Sequence, residues 1–201
     1  MAQDKLQVLT EKATGPYKAL LYDCDGTLAD NMQAHKDTYV QVALQQNITI
    51  DTQIIDDFAG LPIPAVVEEI NKKYNTTFDP VQFAELKSTL FYNHFIHTTQ
   101  PISFVVDHLK ACAGNYKIGV VSGGSRKMIE KTLEVLGIAH LVEVMVCAGE
   151  TDRGKPYPDP FLKAAELLSV LPAECLVFED GEAGTTAATA AGMPWIRIDK
   201  I

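Results

Sequence analysis

Four or five short apolar runs rich in β-branched residues stand out along the chain: KALLYD, KIGVVS, VEVMVC, CLVFED and PWIRID. They are continuous rather than alternating, the pattern of strands covered on both faces. Between the later runs lie helical stripes, Met128, Ile129, Leu133 and Leu136 on one and Phe161, Leu162, Ala165 and Leu168 on the next. Strands alternating with amphipathic helices predict a parallel α/β sheet.

Between about Met32 and Thr98 the period changes. Tyr39, Val42 and Ala43, then Val66, Val67, Ile70 and Tyr74, then Phe83, Leu86, Leu90 and Phe91 recur at helical spacing, with no convincing strand among them. A helical insertion after the first strand is expected, jointed near Asp30 to Met32 and near TTQPIS, where Pro101 interrupts the pattern.

Composition narrows the function classes. At 201 residues, 47% hydrophobic and 21% charged, the chain suits a globular core with a smaller insertion. The formal net charge of −9 gives no general attraction for nucleic acid or an anionic membrane, so a phosphate-bearing partner must be drawn in by a local site. No run approaches the roughly 18 apolar residues of a membrane span, and the first residues carry no apolar signal core, so a cytoplasmic protein is expected. Cys24, Cys112, Cys147 and Cys175 lack CxxC spacing and read as free thiols. A monomer binding a small phosphorylated metabolite is the expectation for assembly and partners.

Open parallel sheets bind ligands at the carboxyl ends of their strands. The first run ends in Asp23-Cys24-Asp25-Gly26-Thr27, the second in Ser122-Gly123-Gly124 and the fourth in Glu179-Asp180-Gly181; Lys155 follows the third. In an extended segment alternate residues face one side, so Asp23 and Asp25 can reach one reacting centre. Adding Glu179 and Asp180 crowds negative charge that opposes folding unless a cation intervenes. A hard, oxygen-seeking ion such as Mg²⁺ suits acids without His or Cys. Such a site suits phosphoryl transfer: Lys155, Ser122 and the amides of Gly123 and Gly124 can hold phosphate oxygens while a carboxylate acts as nucleophile and a second acid moves protons. Arg126 can reach phosphate or merely decorate its helix.

The segments DCDGT, VVSGG, GKPYPDPF and LVFEDGEAGTTAATAAGM resemble, in order, the four motifs of the haloacid dehalogenase superfamily in its phosphatase branch, from about Tyr17 to Asp199. The insert and the spacing of DGTLADNMQAH are similar to the β-phosphoglucomutase-like group and its small sugar-phosphate phosphatases. The resemblance implies Asp23 as nucleophile and Asp25 as general acid/base, with Ser122 and Lys155 as phosphate binders beside the Gly123 amide. It also implies Mg²⁺ held by Asp23, the carbonyl of Asp25, Asp180 and Glu179. The fold implied is a Rossmann-like core, residues 1–31 and 99–201, with a helical cap, residues 32–98, closing over the site and selecting the substrate. His35 corresponds to a histidine at the start of that cap, where it can sense leaving group or closure; the other reading is a solvated helix face.

Mutases of this group grip a second phosphate with basic residues where this chain reads FAGLPIPAVV, Phe58 to Val67, which holds no Lys or Arg. That departure favours a phosphatase over a β-phosphoglucomutase. A catalytically silent phosphometabolite-binding regulator would have lost Asp23 or Asp25, and both are present.

Overall fold

A computed structural model describes residues 2–58 and 61–201, the side chains of residues 2–4 excepted. Two positions of the segment without cations, Ala59 and Gly60, therefore lie outside the described residues. In chain order the first elements are α1 (Ala2–Lys12), β1 (Ala19–Tyr22), β2 (Ala29–Asp30), α2 (Met32–Leu44), α3 (Gln53–Asp57), α4 (Ile63–Tyr74), α5 (Pro80–His94) and β3 (Gln100–Pro101). They are followed by α6 (Ser103–Cys112), β4 (Lys117–Val121), α7 (Arg126–Val135), β5 (Val144–Val146), α8 (Asp159–Leu168), β6 (Cys175–Glu179), α9 (Glu182–Ala190) and β7 (Trp195–Arg197). The chain divides into two compact units, Met1–Asp30 with Thr99–Ile201, and Asn31–Thr98.

The larger unit is built on a five-stranded sheet in the order β5-β4-β1-β6-β7, every pair parallel. The five apolar runs supply the five strands. Their continuity has the expected cause: Leu20, Tyr22, Ile118, Val120, Leu176 and Phe178 enter one apolar cluster, and Leu21, Val121, Val146 and Val177 enter another. Successive side chains of a strand point to opposite faces, so covering both faces leaves no polar position to alternate with. β1 is central, and the chain leaves it in opposite directions toward β4 and β6, which makes its carboxyl end the topological switch point.

The helical stripes need two corrections. In α8 the buried positions are Phe161, Ala164, Ala165 and Leu168, whereas Leu162 is 40% exposed. The i, i+3, i+4, i+7 face runs through Ala164, and Leu162 lies about 100° from Phe161. In α5 the buried ridge is Phe83, Lys87 and Phe91, each four residues from the next, and Leu86 is 40% exposed. A lysine thus holds the core position that the stripe assigned to a leucine.

The smaller unit has its own apolar cluster, which includes Tyr39, Val42, Ile54, Val67, Ile70 and Phe83. Its helices have legible ends: Asp79 caps α5 by accepting from the amides of Val81 and Gln82, with Pro80 in the first turn. The four cysteines are free thiols. Among the described residues no helix is long and apolar enough to cross a membrane.

Candidate functional site

The site begins where β1 stops. Asp23 continues the strand, donating its amide to the Phe178 carbonyl of β6 at 2.9 Å. The backbone then turns sharply, the Cys24 carbonyl accepting from Thr27, Leu28 and Ala29 within 3.3 Å. Gly26 allows that turn because its φ is +86°. Asp25 lies partly exposed in the turn and bridges to Ala29, while β2 and β3 form an antiparallel pair just beyond it.

Carboxylate oxygens of Asp23, Glu179 and Asp180 lie within 4.8 Å of one another. Glu179 is the last residue of β6 and almost wholly buried; Asp180 accepts from the Thr27 hydroxyl at 3.2 Å. Lys155 enters this group from the loop after β5, donating to Asp23 Oδ1 at 2.6 Å, Glu179 Oε1 at 2.5 Å and the Val121 carbonyl at 2.8 Å. Those three bonds use all three donors of its ammonium.

The electrostatics follow from burial. Desolvation by itself would depress the Lys155 ammonium, but Asp23 and Glu179 outweigh it and hold the ammonium above its ordinary range. Burial pushes Asp23 up against the pull of Lys155, with Glu179 and Asp180 adding to the rise. Burial followed by the charge of Glu179 raises Asp180 to about 6. Three acids against one lysine leave the cluster short of positive charge. A donor set of carboxylate oxygens, with no thiol or imidazole, fits a hard divalent cation.

Ser122 follows β4, next to β1, and is buried. Its amide donates to Val146 and its Oγ accepts from the Gly124 amide at 3.1 Å. Gly123 is exposed, and a side chain there would meet nothing within 4 Å.

Two residues of the expected set are engaged by other side chains. Arg126, in the first turn of α7, is engaged by Glu150 at 2.6 and 2.9 Å and by the Met145 carbonyl at 3.0 Å; Glu150 also accepts from the Cys147 amide. Its guanidinium thus ties down the loop that leads to Lys155. His35, on α2 of the smaller unit, stacks on Phe91 at 4.0 Å, and its Nδ1 is 2.7 Å from the Lys87 ammonium, which also lies over the Tyr39 and Phe91 rings. Lys87 was not marked by the sequence, and Thr27 was marked only as the end of the DCDGT run, with no role of its own. A lysine on an apolar stripe four residues from Phe83 and Phe91 was the available signal for the first.

A five-stranded parallel α/β core with acids and a lysine gathered at its switch point is the ligand-binding arrangement of an open α/β protein. The family model described as "Haloacid dehalogenase-like hydrolase" matches residues 20–198, and the chain belongs to that family. It is 30% identical over 182 residues to the fructose-1-phosphate phosphatase YqaB of Escherichia coli K12, covering 90% of this chain and 96% of that protein. It is 31% identical over 188 residues to the β-phosphoglucomutase of Bacillus subtilis, covering 88% and 80%. The solved CbbY of Rhodobacter sphaeroides in complex with phosphate shares the fold, with a TM-score of 0.81 over 90% of this chain and 85% of that one at 17% identity.

Proposed function

We propose that this chain is a Mg²⁺-dependent phosphatase that hydrolyses a small phosphorylated metabolite, a sugar phosphate by preference, through a phosphoaspartate. The observation that carries the reading is the bridge from Asp23 through Lys155 to Glu179, with Asp180 beside it, at the carboxyl end of the central strand. Mg²⁺ would be held by Asp23 and Asp180, with Glu179 beside them and the carbonyl of Asp25 completing the protein's share. When bound, it neutralises phosphate oxygens and the crowded acids.

In the first half-reaction an Asp23 oxygen attacks phosphorus in line and the P–O bond to the leaving group breaks. Asp25, protonated, gives its proton to the departing alkoxide. In the second, the Asp25 carboxylate takes a proton from a water whose oxygen attacks phosphorus; the bond to Asp23 breaks and inorganic phosphate leaves. Ser122 and the Gly123 amide hold the equatorial oxygens throughout, and Lys155, whose three donors are taken by Asp23, Glu179 and the Val121 carbonyl, adds its positive charge beside them.

The deciding measurement is phosphate release with Mg²⁺ from a panel of hexose phosphates, phosphoglycolate and nucleoside monophosphates. Release from a hexose phosphate is expected. Conversion of β-glucose 1-phosphate to glucose 6-phosphate with a bisphosphate primer, faster than phosphate release, would replace the phosphatase by a mutase.

A further inference from the structure

We infer that Gly184 is a positioning residue: its missing side chain is the space in which the Glu179 carboxylate sits while it holds Lys155. A Cβ built on Gly184 would lie 1.9 Å from Glu179 Cδ, 1.9 Å from Oε1 and 2.4 Å from Oε2. Glu179 is only 2% exposed and its Oε1 accepts from Lys155, so a carboxylate moved aside by that Cβ shifts against the bond to Lys155. Lys155 in turn holds Asp23 at 2.6 Å. A single methyl group at the third residue of α9 is thereby linked, through two charged contacts, to the residue proposed as nucleophile.

Backbone conformation does not ask for glycine there. Gly184 lies inside α9, outside the left-handed region, and glycine is among the poorest helix formers. The helix would gain from alanine; the carboxylate would lose. Gly26 bears a similar relation to Asp180, its added Cβ falling 2.2 Å from Oδ2, but its φ of +86° already calls for glycine, so only Gly184 separates the two demands.

The test is a double-substitution cycle of Gly184→Ala with Glu179→Asp, because aspartate draws the carboxylate back by one C–C bond, about 1.5 Å. The activity arm rests on the phosphatase reading and uses p-nitrophenyl phosphate with Mg²⁺. Gly184→Ala should lower kcat on the order of 10²-fold in the parent, the cost of an ångström-scale misplacement. In the Glu179→Asp background the same change should stay within the roughly twofold scatter of independent sites. The folding arm needs no activity: in metal-free buffer Gly184→Ala should lower the thermal midpoint in the parent and raise it or leave it unchanged beside Asp at position 179. If Gly184→Ala does not fold, the double variant should. Equal effects in both backgrounds, on midpoint or on rate, would overturn the inference; failure of the activity arm alone, with no turnover by any variant, would overturn the phosphatase reading instead.

Discussion

Replacing Lys155 by methionine removes the ammonium while keeping an unbranched apolar stem. The side chains of Lys155, Asp23 and Glu179 are 10%, 10% and 3% exposed, so little solvent can screen what is left. Two charge-assisted hydrogen bonds at about 1.5–3 kcal/mol each and one bond to a carbonyl at about 1 kcal/mol are lost. That sum overlaps the roughly 3–5 kcal/mol that breaking a buried ion pair costs when the partner charge stays behind. The acids have one escape, which is to take up a proton on folding. A carboxyl whose pKa is raised in the fold binds more protons folded than unfolded, so its destabilising effect grows as pH rises through that window and fades below it. The variant should therefore lose about 3–5 kcal/mol near pH 8, and the deficit should shrink by up to about 1.4 kcal/mol per unit of pH toward about pH 5. Urea unfolding of the metal-free parent and variant at both ends of that range measures it. A deficit under about 1 kcal/mol near pH 8, or one that does not change with pH, would refute the idea that the lysine neutralises buried charge.

Asp23→Asn should abolish both turnover and capture of beryllofluoride, whereas Asp25→Asn should keep the adduct and slow turnover by roughly 10² to 10⁴; an adduct on any other residue, seen by mass spectrometry or crystallography, would displace Asp23 as nucleophile. Because Asp180 is raised to about 6, it must release a proton to hold a metal below that pH, so the Mg²⁺ affinity measured by calorimetry should fall toward tenfold per unit below about pH 6, and a flat profile would remove Asp180 from the metal site. Buried His108 shares a hydrogen bond with Tyr22 and is lowered by desolvation to about 4, so the unfolded chain binds the extra proton between about 6.5 and 4. His108 should contribute a loss of up to about 3 kcal/mol across that window, so the parent should lose that much more than His108→Gln as pH drops; identical slopes in chemical denaturation would show that His108 contributes nothing.

The strands were legible because a strand covered on both faces leaves its whole apolar run in the sequence, and the candidate site was legible because the ends of those strands carry the acids. What escaped did so for particular reasons. Leu86 and Leu162 were placed on buried stripes by residue type, while the helices turn a lysine and an alanine inward at those phases. Lys87 escaped because a charged residue on an apolar stripe reads as its solvated edge, yet its ammonium is met by His35 and two aromatic rings. Thr27 stands in the DCDGT run, but its contact escaped because only the fold brings its hydroxyl to Asp180, 153 residues away. Arg126 was readable as a phosphate ligand or as decoration, and its ion pair with Glu150 is a third use that depends on the path of a loop 24 residues on.

Gly184 illustrates a deeper limit, since what matters there is volume that is absent. A sequence records which atoms a residue brings, so a position defined by atoms it must not bring is visible only against its neighbours. The same logic explains why three acids can be packed around one lysine at the end of β1. The carboxylates of Asp23 and Glu179 are both tied to the Lys155 ammonium, Glu179 also facing the open side of Gly184, and Asp180 accepts from Thr27. Each carboxylate thus has a partner that holds it in place against the repulsion among them. The crowding is therefore built into the resting protein, ready to favour whatever positive charge binds there.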